Sequence, residues 1–277
     1  MPTPNVRNLI LQAKRDGFGQ EIDLYKISPT TAQAGHYSLF QSAGNPAAGS
    51  YTGTRTATQL NKSTTGAIGP FTNAPSGKKL FVNAGTARAS NSVGTLTIWD
   101  ALLYYAACDH TINTLQTLTN GVALPRYTNG VGVHAFLEVT TGLGATAQNV
   151  TLGYTNTTPT AGRTSVAHAI QASAIAGRIG HGLLTLPLQA GDVGIKSVEN
   201  VIFSAANSAG VSALVLAKRL FSVGFGSVNT DGEFDSEIRG TLPQITDDAC
   251  LFATWSAGTT ASTPNMTCWF DLVSIEQ

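Results

Sequence analysis

The sequence predicts an all-β chain: an antiparallel two-sheet sandwich of jelly-roll type, preceded by a helix and an extended arm. Three observations carry that expectation. Val133, Ala135, Leu137 and Val139 alternate with His134, Glu138 and Thr140, and Met266, Cys268, Phe270 and Leu272 alternate with Thr267 and Asp271. A period of two is the mark of a strand with one dry and one wet face. Turn signals such as Asn129-Gly130, Gly142–Gly144 and Asp231-Gly232 separate such runs. The chain is also rich in Thr and Val and holds 29 glycines in 277 residues, a usage that suits pleated surfaces joined by tight turns.

The first element is helical. Thr3 can cap it, Pro4 fits the first helical position, and Val6, Leu9, Ile10 and Ala13 make an apolar stripe. Lys14 and Arg15 fall in the last turn, where cations suit the dipole, and Gly17 can end it. From Ser28 to Gly77 the chain is Gly-, Ala-, Ser-, Thr- and Pro-rich, with scattered anchors at Tyr37, Phe40, Tyr51, Ile68 and Phe71. That stretch reads either as an arm whose aromatics plug pockets on neighbouring subunits or as short edge strands joined by loops. The division it suggests is residues 1–77 as helix and arm and 78–277 as the sandwich.

Strand candidates beyond Lys78 are Leu80–Ala84, Thr95–Ile98, Val133–Thr140, Gln148–Tyr154, Ser165–Ala169, Gly182–Leu188, Val193–Phe203, Val211–Phe221, Ala249–Trp255 and Met266–Ile275. Asp100 to Cys108 reads as one or two helical turns capped by Asp100.

Composition narrows the function. Charged residues make up 12% of the chain, against about 25% in ordinary globular domains. The 16 basic and 16 acidic residues cancel, so the excess of cations that phosphate neutralisation demands is missing and direct nucleic-acid binding is not expected. No apolar run reaches about 18 residues, so no membrane partner is expected, and Met-Pro-Thr-Pro-Asn does not open a signal peptide. Cys108, Cys250 and Cys268 cannot all pair within one chain; free buried thiols suit folding in a reducing cytosol.

No nucleophile elbow, Walker loop, zincin helix or C-x-x-C is present, and His36, His110, His134, His168 and His181 are dispersed. An enzyme is therefore not expected, and no cofactor. Asp231, Glu233, Asp235 and Glu237 alternate through one segment and are candidates for a cation site, because like charges that close need a cation or an arginine such as Arg239. A solvated acidic loop is the competing reading. Arg126 and Arg163 sit in turns, where a guanidinium can fork onto carbonyls or a carboxylate. Asp192 is a candidate acceptor, with closure of an Asx-turn on its own backbone favoured.

The blocks around these residues carry a resemblance. Thr97-Ile98-Trp99-Asp100-Ala101-Leu102, Leu124 to Val133, Tyr154-Thr155-Asn156, Ala161-Gly162-Arg163-Thr164 and Leu186 to Val198 follow one another over roughly residues 95–220. In that order they resemble a widespread group of tailed-phage virion proteins. The resemblance implies a virion structural protein, folded in the host bacterial cytoplasm, and transfers no catalytic motif. Low charge and a long arm then favour a capsid decoration or cement protein, whose partners are the major capsid protein and its own copies in a homotrimer. A tail, neck or baseplate component is the alternative. So is a carbohydrate- or receptor-binding sandwich, for which Trp99, Trp255, Trp269 and the tyrosines could stack on sugars, although burial is the simpler account of Trp255 and Trp269, which alternate within apolar strands.

Overall fold

The computed structural model describes residues 6–28, 35–179, 183–258 and 264–276. The Thr3 cap, Pro4 and His181 lie outside the described residues. Within them, helix is confined to Val6–Arg15 and Ser236–Arg239, and the named strands pair antiparallel.

The architecture grows from two very long strands, Gly94–Asp109 and Val211–Phe225, paired along their whole length. Around them closes a six-strand ring. Its order is Val211–Phe225, Val133–Thr141, Arg178–Ile179, Gly35–Ser38, Cys250–Ala257 and Gly94–Asp109, which returns to Val211–Phe225. Side chains fill its interior. Phe136 and Phe252 come from strands that are not neighbours, yet their ring centroids lie 5.6 Å apart; Trp99 meets Phe136 at 6.0 Å. Removing a ring as buried as Phe136 would cost about 3–5 kcal/mol, because the closed wall cannot collapse into the space.

The outward face of the ring carries two further sheets. One is built on Lys78–Ala89, Asn265–Glu276 and Gly19–Ile27, edged by Gly232–Asp235, Gln244–Ile245 and Gly44–Asn45. It packs Val82, Leu24, Phe270 and Leu272 against Ile98, Val223, Leu251 and Trp255 of the ring. The other, on Gln148–Asn156 and Ile195–Phe203, packs Val150, Leu152, Tyr154 and Val201 against Leu103, Leu137, Leu214 and Leu216. The expected antiparallel β layering is present. It differs from the two-sheet expectation in having three layers, with the middle one closed.

Several expectations need correction. Asp100 to Cys108 is the interior of a sixteen-residue strand, not helix. That strand is buried on both faces, so the alternation that would announce it is absent. Gly182–Leu188 holds no strand among its described residues; Leu186 instead reaches Ala135 O through a single backbone hydrogen bond. The boundary at residue 77 is no break in packing. Gly19–Ile27 lies between two partners in its sheet, and Gly35–Ser38 closes the ring between Cys250–Ala257 and Arg178–Ile179. Tyr37, Phe40 and Ile68 are each 1% exposed. The aromatics of the supposed arm pack on this chain itself: Phe40 and Tyr51 join the cluster inside the ring and stack at 4.9 Å, while Tyr37, Ile68 and Phe71 join the layer between the ring and the Lys78–Ala89 sheet. The helix docks Ile10 and Ala13 on Phe81, Val273 and Ile275.

Candidate functional site: the convergence of the sequence blocks

Four of the blocks singled out in the sequence meet at the loop end around Asp192, where one arginine–aspartate fork lies, and a second fork ties Arg126 to the fifth block at Asp100. Asp192 follows Gly191 in the turn before Ile195–Phe203. Its carboxylate takes Arg163 Nε at 3.0 Å and Nη2 at 3.1 Å, Tyr154 OH at 2.5 Å and Asn156 Nδ2 at 2.8 Å. The Tyr154 hydroxyl in turn accepts the Gln189 backbone N–H at 2.9 Å. Tyr154 and Asn156 share a strand face because they are two apart, and Arg163 pairs with Tyr154 in register. Three distant blocks are thus stapled through one carboxylate. The hydrogen bonds from Tyr154, Arg163 and Asn156 hold the Asp192 carboxyl at about 2. The Asx-turn closure favoured from the sequence gives way to this fork, since the side chain points across the turn toward Arg163.

The fourth block locks on through backbone. Gly132 N–H donates to Val193 O, and Val131 bridges Gly194. Gly130 has φ +77°, and a Cβ there would lie 2.5 Å from Ile195 O, so only glycine fits this approach. Val131 and Val193, 45% and 60% exposed, project from the braced turns.

The second fork is deeper. Arg126 gives Nε to Asp100 Oδ2 at 2.9 Å and Nη2 to Oδ1 at 2.7 Å, and Nη2 also reaches Ala101 O at 2.8 Å and Leu60 O at 3.2 Å. Asp100 is fully buried and also accepts Cys250 N–H and Thr246 Oγ1. Burial raises its carboxyl above the ordinary range in spite of Arg126. A third carboxylate, Glu138, is fully buried and meets uncharged partners, Gln41 Nε2 at 2.6 Å and Tyr51 OH at 2.7 Å. Desolvation pushes it up to about 7.

The acidic segment does not converge. Gly232–Asp235 is a strand, which puts Asp231 near Arg88 at 3.9 Å. Asp235 turns instead to cap Ser236–Arg239, accepting the Glu237 and Ile238 N–H groups. No group of three or more His, Cys, Asp or Glu side chains suited to a metal occurs among the described residues. Arg239 lies over the Phe234 ring. The three cysteines are free and buried in separate places, Cys250 inside the ring and Cys268 beneath the outer sheet.

Asp100 escaped the sequence reading as a member of the site. The signal for Asp100 was a charged residue inside the apolar run from Thr97 to Leu103, since a charge is kept in such a run only when paired.

No protein-family model matches this chain, and no curated protein matches it. Among solved structures, similarity is found to the infectious bursal disease virus Gt strain structure at 9% identity, TM-score 0.19, over 94% of this chain and 81% of that one. The VP2 subviral particle of the same virus gives 10% identity and the same TM-score, also over 94% and 81%. A TM-score of 0.19 does not establish a shared fold.

Proposed function

We propose that this chain is a virion structural protein of a tailed phage, and that it decorates or cements the capsid through protein–protein contacts. The observation that carries the reading is the convergence, at the loop end around Asp192, of four blocks that resemble phage virion proteins. A charge fork and close glycine contacts brace that end, and it presents Val131 and Val193 to solvent. A braced loop end loses little conformational freedom on docking, so its apolar contacts convert more fully into affinity. The layered antiparallel sheets also suit a jelly-roll-like shell component. Binding at repeated lattice positions favours a closed symmetric oligomer, here a homotrimer. Such a protein acts by mass action, lowering the free energy of the assembled shell relative to released subunits.

The test is made on particles. Heads lacking the protein should assemble and then rupture at lower temperature or milder osmotic shock than complete ones. Val193→Asp and Val131→Asp should abolish rebinding to such heads while leaving the thermal midpoint of the free protein unchanged. Density confined to the tail tip, or heads equally robust without the protein, would overturn the assignment in favour of a tail or baseplate role.

A further inference from the structure

Among the described residues, the outer face of the Gly19–Ile27, Lys78–Ala89 and Asn265–Glu276 sheet is covered over one half only. The Val6–Arg15 helix lies on Phe81, Val273 and Ile275, and Lys14 pairs with Asp271 at the boundary. Beyond that pair no described residue covers the face, which forms a groove of about 340 Å³. Trp269 lies in its floor. Of the three tryptophans, Trp99 and Trp255 are 1% and 0% exposed, whereas Trp269 is half-buried.

Strand register fixes the neighbours. Trp269 stands between Asp23 and Thr86; one row along, Thr267 stands between Tyr25 and Arg88. Tyr25, 39% exposed, adjoins Asn45 at the sheet edge. Arg88 donates to Thr267 Oγ1 at 3.1 Å and faces Asp231 at the opposite rim.

We propose that this groove binds a neutral oligosaccharide. A sugar ring offers an apolar C–H face together with a rim of hydroxyls that both donate and accept. The groove offers an indole and a phenol as flat apolar surfaces, with carboxylate, amide and guanidinium groups set around them. Aliphatic side chains, which a protein partner would bury at an interface core, are scarce on this floor. Anionic sugars are disfavoured, because Asp23 and Asp231 outnumber Arg88. The inference is independent of the capsid reading, since the groove lies on a different sheet from the two forks.

The test is a fluorescence titration of the full chain with maltohexaose, cellohexaose, mannohexaose and chitohexaose, and with heparin as the anionic control. Trp99 and Trp255 are shielded, so a saturable change reports Trp269. At least one neutral hexasaccharide should bind. Calorimetry should show that Trp269→Ala and Asp23→Asn each weaken binding by about ten-fold or more, at a wild-type thermal midpoint. If Trp269→Ala does not fold, Tyr25→Ala at its exposed position takes its place and should lose a similar factor. The proposal is overturned if no neutral hexasaccharide binds, if heparin binds in preference, or if folded variants bind as the parent does.

Discussion

Asp100–Arg126 and Asp192–Arg163 use the same two-toothed fork, yet their carboxyls shift in opposite directions. Asp100, fully buried, is raised above its ordinary range by desolvation even with a guanidinium at 2.7 Å. Asp192, at a loop end and gathered by three donors, is held at about 2. The difference teaches that a salt bridge is not one kind of interaction. In the interior the pair mainly cancels a cost of its own making, and removing one partner exposes that cost. At the loop end the Asp192 side chain is 4% exposed and Arg163 26%, and hydrogen bonds from three side chains outweigh desolvation while the pair organises three segments.

The comparison breaks most visibly at Arg126. Arg126→Met leaves Asp100 charged and buried, and chemical denaturation should show a loss of about 3–5 kcal/mol. The double variant Asp100→Leu/Arg126→Met should recover most of it; a double variant no better than the single one would mean that the backbone contacts to Leu60 and Ala101 hold the region instead.

Glu138 extends the series to a buried carboxylate whose hydrogen-bond partners Gln41 and Tyr51 are uncharged. Its folded value of about 7 exceeds the ordinary 4.5, so between those pH values the native state holds a proton that the unfolded chain has released. Stability should therefore fall as pH rises from 5 to 8, by roughly 2–3 kcal/mol if this group acts alone. Glu138→Gln should flatten the thermal midpoint across that range.

Gly130→Ala tests the backbone half of the motif end. Its positive φ and the crowding against Ile195 O should cost about 1–3 kcal/mol, read as a lower thermal midpoint with faster amide exchange at residues 130–133 and 193–195.

Asp192→Asn should have the smallest global effect. Because the folded carboxyl is depressed, its contribution is present above the ordinary 3.8 and is lost as pH falls toward 2. At pH 7 the variant should lower the midpoint by less than Arg126→Met does and accelerate amide exchange over residues 189–194. A drop in midpoint as large as that of Arg126→Met would erase the contrast between the two forks.

Legibility in the sequence followed burial. Met266 to Leu272 shows its alternation because one face of that strand is polar, with Thr267 and Asp271. Gly94–Asp109 hides its nature because neither face meets water over most of its length. In the site, Arg163 and Asp192 were each visible as turn residues, yet nothing local states that positions 29 apart share a carboxylate. Phe40 and Tyr51 looked like anchors for another subunit, because a loop-rich stretch gives no sign of the cavity that it closes.

By itself the sequence determined that this chain forms antiparallel sheets joined by tight turns and carries an N-terminal helix with one apolar stripe, without saying what that stripe docks on. Period, propensity and turn chemistry are local, and the backbone reads them within a few residues. Ring closure, the packing of Phe40 and Tyr51 inside it and the meeting of the distant blocks at Asp192 were decided only in three dimensions. They depend on which strands pair and on how much water the partners exclude, and a linear chain specifies both through all of its contacts at once.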